Sequence, residues 1–316
     1  MKLVFITKTR KKIAHKFLWI KKIILPILGI LISLSLALGL AREFFKTAPV
    51  LPSWNKSGDF LVVTKAENEP AKLSNYANIT LPDPQNVKIT KTLPVLMYHY
   101  VEPQPLIATK TRRGLTVTPE EFVDQMAWLK DNGYETITLS ELYKSFFEEL
   151  SLPKKPVILT FDDGYNDFFT YAAPVLANLG MTADVFIITG SVGGFGYMDW
   201  EEIKKLSELG FEIESHTVTH GDLAHMFGNK LEADLVISKT AIEKNIDKPV
   251  NFLCYPSGSY NLNVSLGAQA VSYRGAVTTK PGDVISSDML FEMPRVRIPG
   301  GMKINDFIFE VEKSLR

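Results

Sequence analysis

The segment Val157-Ile158-Leu159-Thr160-Phe161-Asp162-Asp163-Gly164-Tyr165 joins a run of apolar residues to two adjacent carboxylates. A short, continuous apolar run of this kind is typical of a buried strand. Asp162 and Asp163 follow the run directly, at the place where such a strand would end. Functional side chains of strand-and-helix folds collect at strand ends, so both residues are candidates for catalysis or metal binding.

Similar apolar runs recur from residue 93 onward and alternate with amphipathic segments. The helical segments begin with clear signals, because Thr118-Pro119-Glu120-Glu121 offers an N-cap, a proline and a capping-box glutamate, and Asp199-Trp200-Glu201-Glu202 repeats this logic. Alternating strands and helices predict an α/β fold with a mostly parallel sheet, either open or closed as a barrel. The predicted strands are residues 94–98, 157–161, 184–188, 211–214, 251–255, 276–278 and 293–298.

Three more of the predicted strands end on polar residues. His99 follows the first strand, His216 follows the strand that begins at residue 211, and Pro256-Ser257-Gly258 follows the strand that begins at residue 251. Parallel strands bring their carboxyl ends to one side of the fold. We therefore expect these groups and the two aspartates to form a single site.

The segment His216-Thr217-Val218-Thr219-His220 supplies two imidazoles four residues apart. Histidines at this spacing share one face of a helical turn, so both can reach one ion. Together with Asp163 they would form an open three-ligand site for one divalent metal ion, zinc in the first place and cobalt, manganese or nickel as alternatives. Asp162 would stay uncoordinated and could take a proton from water, and His99 is the candidate acid.

Each motif has a simpler explanation when it is taken alone. An isolated Asp-Asp-Gly is usually a turn, and an isolated histidine pair at this spacing is usually a solvated helix face. Their placement at strand ends is what favours a metal site. Nearby, we expect His225 on the surface, and Asp167 and Asp222 fit helix caps better than catalysts.

The bulk composition excludes several other classes of protein. The chain has 316 residues, of which 46% are hydrophobic and 22% charged, as in an ordinary globular protein. Lys+Arg and Asp+Glu each number 35, so no net charge favours nucleic acid. Cys254 is the single cysteine, and the fold must therefore be held by its core rather than by an internal disulfide.

Charge and hydropathy divide the N-terminal part of the chain. Residues 1–22 are basic, and residues 23–40 contain no charged side chain and are just long enough to cross a bilayer. The positive-inside rule then places the N-terminus in the cytoplasm and the rest of the chain outside. We expect a single-pass membrane anchor at 23–40, an extracytoplasmic stalk at 41–92 and a catalytic domain at 93–316. A cleaved signal peptide, which would secrete the protein, and a buried core helix are the alternatives.

Between residues 93 and 298 the motifs resemble those of polysaccharide deacetylases of the NodB-homology type, a carbohydrate esterase family. The resemblance implies a distorted (β/α) barrel of about seven units and hydrolysis of N-acetyl, less often O-acetyl, groups on cell-surface sugars. It rests on Pro94-Val95-Leu96-Met97-Tyr98-His99, Thr160-Phe161-Asp162-Asp163-Gly164, Ser215-His216-Thr217-x-x-His220, Tyr255-Pro256-x-Gly258 and Ala276-Val277-Thr278-Thr279.

The resemblance also implies roles for individual residues. Asp162 would be the base, and Asp163, His216 and His220 would be the metal ligands. The backbone amide of Ser257 would help to form the oxyanion hole, where a backbone donor does not depend on the side chain. The neighbouring Tyr255, Pro256 and Gly258 would complete the oxyanion and substrate-binding motif.

Two departures from the family pattern concern the base and the acid. Many members place an arginine that orients the base two residues before the motif proline, where this chain has Cys254; Arg295 or Arg297 could supply that charge. Many members also have an acid histidine near the C-terminus, but no histidine follows Arg297 here. In the branch of the family that deacetylates poly-N-acetylglucosamine, the first strand also ends in Met-Tyr-His, and that histidine is thought to be the acid. This resemblance supports His99 as the acid.

The sequence therefore predicts a metal-dependent deacetylase of a cell-surface or extracellular polysaccharide, with poly-N-acetylglucosamine, peptidoglycan and chitin-like polymers all open. A hydrolase of non-sugar amides is an alternative, although the exported topology argues against it. A catalytically silent polysaccharide-binding module is another, although such a module should have lost Asp162 or a ligand, and none is lost.

Overall fold

The computed structural model describes residues 88–313, which are built around a closed barrel of seven parallel strands. The barrel strands are β2, β6, β7, β8, β9, β10 and β12, and β2 pairs with both β12 and β6 to close the ring. In chain order the strands are β1 (Thr90–Thr92), β2 (Val95–Tyr98), β3 (Tyr100–Val101), β4 (Thr116–Val117), β5 (Glu135–Thr136), β6 (Pro156–Phe161), β7 (Asp184–Ile187), β8 (Glu212–Ser215), β9 (Phe252–Cys254), β10 (Gly275–Pro281), β11 (Val284–Ser286) and β12 (Met293–Arg297).

Helices connect the barrel strands and cover the outside of the barrel. They are α1 (Lys110–Leu115), α2 (Pro119–Asp131), α3 (Leu139–Phe147), α4 (Ala173–Leu179), α5 (Trp200–Glu208), α6 (Asn229–Ile246), α7 (Leu262–Ala270) and α8 (Ile304–Glu312). The two helix starts that the sequence predicts are confirmed. Thr118 and Glu121 form a capping box at α2, and Asp199 and Glu202 form another at α5.

Successive residues of the barrel wall belong to two different clusters, because side chains of a strand alternate between its faces. The larger cluster joins residues such as Leu159 and Ile213 to the apolar faces of the helices. The smaller one contains Val95, Ile158 and Phe252 together with residues of α3, and it fills the barrel interior.

All seven predicted strands correspond to the seven barrel strands, with ends that differ by a few residues. The barrel of the NodB-homology type is therefore confirmed, and the open sheet is excluded. Residues 90–92, at the end of the predicted stalk, form β1, which pairs antiparallel with β11. The polar sequence of β1 gave no strand signal, since this pairing uses backbone groups rather than an apolar face.

The predicted basic N-terminus at 1–22, the anchor at 23–40 and nearly all of the stalk at 41–92 lie outside the described residues. Within residues 88–313, no helix combines the length and the apolar character that a membrane crossing requires.

Candidate active site

Asp163, His216 and His220 come together at the carboxyl end of the barrel, where β6 and β8 end. The Oδ1 atom of Asp163 lies 3.3 Å from Nε2 of His216 and 3.4 Å from Nε2 of His220. The potential ligand atoms of all three residues lie within 4.8 Å of one another. One carboxylate and two imidazoles are a donor set that suits a divalent ion such as zinc, so these residues fit the metal that the family resemblance implies.

The two histidines converge through an irregular loop, and the predicted helical turn is wrong. Thr217 and His220 have positive φ angles of 67° and 53°, which a right-handed helix does not allow. The Thr217 hydroxyl accepts a hydrogen bond from the His220 amide at 3.1 Å and stabilises the turn. Asp163 also has a positive φ, of 76°, so both segments that carry the ligands contain strained backbone of the kind found at functional sites.

The orientation of His216 is set by a backbone contact with β9. Its Nδ1–H donates to the Cys254 carbonyl at 2.8 Å, and this contact directs Nε2 at Asp163. The His216 side chain is buried, whereas 36% of the His220 side chain is exposed. One ligand is therefore fixed by the barrel, and the other lies at the solvent side of the cluster.

A second group of possible ligands lies deeper, and it fits a cation poorly. Asp162, His216 and Cys254 also have ligand atoms within 4.8 Å of one another. Arg295, however, donates to both oxygens of Asp162 and to Sγ of Cys254, so an ion there would face a guanidinium. The cluster of Asp163, His216 and His220 is the better metal site.

Asp162 is held inside the barrel by Arg295 of β12. The Nη1 and Nη2 groups of Arg295 each donate to one carboxylate oxygen at 2.7 Å, and Nη1 also donates to Oγ1 of Thr160 at 2.9 Å. Burial alone would raise the pKa of Asp162, but the charge and hydrogen bonds of Arg295 lower this pKa well below its ordinary value. Asp162 is therefore an ionised carboxylate in a fixed orientation.

His99 faces the same carboxylate from the end of β2. Its Nε2 lies 3.9 Å from Oδ2 of Asp162, which is too long for a hydrogen bond. Burial lowers the pKa of His99 below its ordinary value, while the charges of Asp162 and Asp163 act in the opposite direction. His99 therefore lies in the site, where burial and the two carboxylates act on its pKa in opposite directions.

The structure separates the two candidate arginines. Arg295 is fully buried, and its Nε also donates to the Thr278 carbonyl at 2.9 Å. Arg297 lies at the exposed end of β12, with no ion pair to Asp162. Because the two arginines are two positions apart, they lie on the same side of the strand, and only their depth in the barrel distinguishes them.

The motif after β9 is only partly available to a substrate. Ser257 is exposed and has a φ of 54°, whereas Tyr255 and Pro256 are buried. The Tyr255 ring stacks on Tyr260 with centroids 4.6 Å apart, and its hydroxyl donates to the Phe291 carbonyl. The side chains of Tyr255 and Pro256 therefore have a structural role, and the substrate contact that the family motif implied for them is wrong. A Cβ on Gly258 would lie 2.1 Å from Oγ1 of Thr279, so this turn requires glycine.

The remaining polar candidates lie outside the cluster. His225 is exposed and paired with Asp222 at 2.8 Å. Asp222 precedes the short helix Leu223–His225 without capping it, and its other oxygen accepts from Ser259. Asp167 does not act as a helix cap either, because its buried carboxylate accepts from the Val101 amide.

Sequence reasoning missed Thr160, whose hydroxyl accepts from Arg295 and donates to the Leu96 carbonyl at 2.8 Å. A single polar residue inside the apolar run of β6 was the signal that could have revealed it. Sequence reasoning also missed a row of stacked rings beside the site, made by Tyr100, Tyr165 and Tyr197. No sequence pattern predicts contacts between rings of three separate segments of the chain.

Comparisons with known proteins agree with this geometry. The family model for polysaccharide deacetylases matches residues 149–276, a range that contains Asp162, Asp163, His216 and His220 but neither His99 nor Arg295. YxkH of Bacillus subtilis, named for the same family, is 33% identical over 215 residues, which are 68% of this chain and 74% of that protein. The poly-beta-1,6-N-acetyl-D-glucosamine N-deacetylase of Staphylococcus epidermidis is 28% identical over 213 residues, which are 62% of this chain and 68% of that protein.

Among solved structures, the deacetylase PplD of Streptococcus pyogenes, crystallised with acetate, matches with a TM-score of 0.65 and 28% identity. The match covers 71% of this chain and 100% of that one.

Proposed function

Since this chain belongs to the polysaccharide deacetylase family, we propose that it hydrolyses N-acetyl groups on an extracellular polymer of N-acetylglucosamine type. The proposal rests on one observation: two groups of polar residues lie side by side at one end of the barrel. Asp163, His216 and His220 form a metal-ligand cluster, and the adjacent Asp162 is held by Arg295 without joining that cluster. A hydrolase of this kind needs both a metal site and a free base.

Asp163, His216 and His220 would hold one divalent ion. When bound, such an ion would polarise the carbonyl of the acetyl group and make water more acidic. The protein supplies the arrangement of ligands, because the hydrogen bond from Nδ1–H of His216 to the carbonyl of Cys254 directs Nε2 at the cluster. Zinc agrees best with this donor set, and cobalt, manganese and nickel accept similar ligands.

Asp162 would take the proton from the attacking water. The bidentate contact with Arg295 uses one lone pair on each oxygen and leaves the carboxylate able to accept a further hydrogen bond. Because its pKa is low, Asp162 stays ionised across the physiological range and returns the proton readily. Arg295 is a positioning residue in this scheme, since it acts through Asp162.

His99 would protonate the nitrogen that leaves, and the Ser257 amide would stabilise the negative charge on the acetyl oxygen. Nε2 of His99 and Oδ2 of Asp162 are 3.9 Å apart, so the acid and the base are not paired with each other and are close enough to act on the same bound amide. The positive φ of Ser257 turns the chain after β9 toward solvent at the same end of the barrel. A preorganised backbone donor in such a place is a common oxyanion device.

A relative supports the choice of substrate, and the N-terminal sequence supports the extracellular location of the enzyme. The Staphylococcus epidermidis relative is named for a poly-N-acetylglucosamine substrate, and peptidoglycan is the second polymer of the same chemistry. The uncharged residues 23–40 would hold the enzyme at the outer face of the cytoplasmic membrane, or direct its secretion if they are cleaved. Deacetylation there would expose amines that become cationic near neutral pH.

Release of acetate tests this proposal. The full chain loaded with zinc, cobalt or manganese is incubated with poly-N-acetylglucosamine, purified peptidoglycan and chito-oligomers, and the Asp162→Asn variant serves as the control. We expect acetate from at least one polymer with the wild-type protein and none with the variant. Absence of acetate from all three polymers, with metal bound, would overturn the proposal.

A further inference from the structure

The loop that follows β7, residues 188–198, lies between the two segments that carry the metal ligands. On one side, the amides of Thr189 and Gly190 donate to the carbonyls of Thr217 and Val218, each at 3.0 Å. On the other side, the Gly196 carbonyl accepts from the Asn166 amide at 3.0 Å. Both contacted segments contain ligands, so the position of this loop is tied to the site.

The tip of this loop is a turn that is closed by backbone hydrogen bonds. The Gly193 amide donates to the Met198 carbonyl at 2.9 Å, and the Tyr197 amide donates to the Gly194 carbonyl at 3.1 Å. Gly193 and Gly196 have φ angles of 76° and 82°, which glycine adopts without strain. The turn presents Phe195 at its tip, and the Phe195 side chain is completely exposed at 105%.

Neighbouring rings do not share this exposure, because they cover one another. Tyr100 and Tyr165 stack with centroids 3.8 Å apart, and Tyr165 and Tyr197 lie 4.9 Å apart. Arg112 lies over Tyr100 at 3.0 Å from the ring centroid. This row begins one residue after His99, includes the residue that follows Asp163-Gly164, and ends two residues from Phe195.

The aromatic row is thus next in sequence to His99 and to the Asp162-Asp163 pair, and two residues beyond its end Phe195 has a ring that the described residues leave uncovered. A polymer that places one unit over the metal cluster must extend across the rim of the site. The C–H groups on the faces of a sugar ring are weakly polar and pack against aromatic faces. Phe195 lacks a polar group, so it can contribute face contact but no chemistry.

We propose that Phe195 stacks on a sugar unit that flanks the unit being deacetylated, and so favours polymers over short oligomers. This inference rests on the proposed function. It identifies the substrate as a chain long enough to reach from the metal cluster to the rim. It also predicts that the contribution of Phe195 depends on the length of the substrate.

The test compares a dimer and a hexamer of β-1,6-linked N-acetylglucosamine as substrates of the metal-loaded full chain. In the Phe195→Ala variant we expect the ratio of hexamer to dimer kcat/KM to fall about tenfold, mainly through KM of the hexamer. Phe195→Trp should restore most of the ratio, because an indole offers an equal or larger face. Phe147→Ala is the matched control, since Phe147 is 51% exposed on α3, away from the site, and should leave the ratio as in the wild type.

Binding measured without turnover separates this inference from the proposed function. In an Asp162→Asn background, calorimetry with the hexamer should show weaker binding when Phe195 is also replaced by alanine. Equal hexamer affinity and an unchanged kcat/KM ratio, in an enzyme that releases acetate, would overturn the role of Phe195 alone. A Phe195→Ala variant that loses binding to phosphatidylglycerol vesicles while keeping that ratio would overturn it too, in favour of a membrane contact. Lack of acetate from any polymer would instead count against the proposed function.

Discussion

Arg295 and Asp162 are separated by 133 positions in the chain, and they form a fully buried bidentate ion pair inside the barrel. Both contacts measure 2.7 Å, and Thr160 and Thr278 accept further hydrogen bonds from the same guanidinium. Its Nη2 lies 3.2 Å from Sγ of Cys254. An arginine from the last barrel strand therefore lies beside Cys254, the position at which the family resemblance leads us to expect an arginine.

Replacing Arg295 by lysine should impair the base while leaving the metal in place. A lysine ammonium is a point charge without the planar fork that orients both oxygens. We expect kcat to fall by about tenfold or more. Because a weaker counter-charge raises the pKa of Asp162, the acid limb of the pH–rate profile should move to higher pH. An unmoved acid limb, or an equal effect in the exposed Arg297→Lys control, would contradict the role of Arg295.

The Asp162→Asn variant should lose turnover and keep its metal. Loss of a general base lowers rates by about 100- to 10,000-fold, and Asp162 is not among the three residues of the ligand cluster. Acetate release and metal content, measured on the same sample, check this. Circular dichroism must confirm the fold, because the substitution leaves the buried Arg295 without its counter-charge. An active Asp162→Asn enzyme would exclude Asp162 as the base.

His216→Ala should lose the metal, whereas His225→Ala should retain it. His216 is buried within 3.3 Å of Asp163, while His225 is exposed and paired with Asp222. Three protein ligands are few for a divalent ion, so removal of one should reduce metal content at least about tenfold. Elemental analysis after dialysis gives the stoichiometry. Full occupancy in His216→Ala would remove this residue from the ligand set.

His99→Ala should slow hydrolysis of an N-acetyl amide more than hydrolysis of an activated acetyl ester. An amine must be protonated as it leaves, whereas an activated phenol needs no proton. We expect a loss of about 100-fold or more on the amide and a several-fold smaller loss on the ester. Comparison of 4-nitrophenyl acetate with an N-acetylglucosamine oligomer measures the difference. Equal losses on both substrates would speak against His99 as the acid.

Asp167 predicts a pH dependence of stability that is independent of catalysis. Burial raises the pKa of Asp167 to about 6, although the Val101 amide acts in the opposite direction. An acid whose folded pKa is raised stabilises the fold fully below the unfolded pKa of about 4, and loses this contribution as pH rises to about 6. Relative to wild type, Asp167→Asn should therefore gain stability between pH 4 and pH 7, by roughly 3 kcal/mol at most.

Urea unfolding of both proteins across this pH range measures the difference in the free energy of unfolding. The asparagine side chain retains an oxygen that can accept from the Val101 amide, so the comparison isolates the charge. A constant difference between the two proteins from pH 4 to pH 7 would show that Asp167 is not titrating in this interval.

Most of the barrel strands could be predicted because they are short apolar runs bounded by turn residues, and β2 and β6 show this clearly. The strand β1 could not, because Thr90–Thr92 is partly exposed and pairs at an edge through its backbone. The convergence of Asp162, Asp163, His99 and His216 followed from parallel strands ending on one side. The path of His216 to His220 did not follow, because their helical spacing concealed a loop with left-handed residues.

By itself, the sequence determined the alternating strands and helices, the residues at the strand ends and the family to which the chain belongs. These properties are local, since they depend on the order of apolar and polar residues over a few positions. The choice of Arg295 over Arg297, the burial of Tyr255 and the exposure of Phe195 were decided only by the tertiary structure. Each depends on which other segments a side chain packs against, and that packing is created by contacts between parts of the chain that are far apart in sequence.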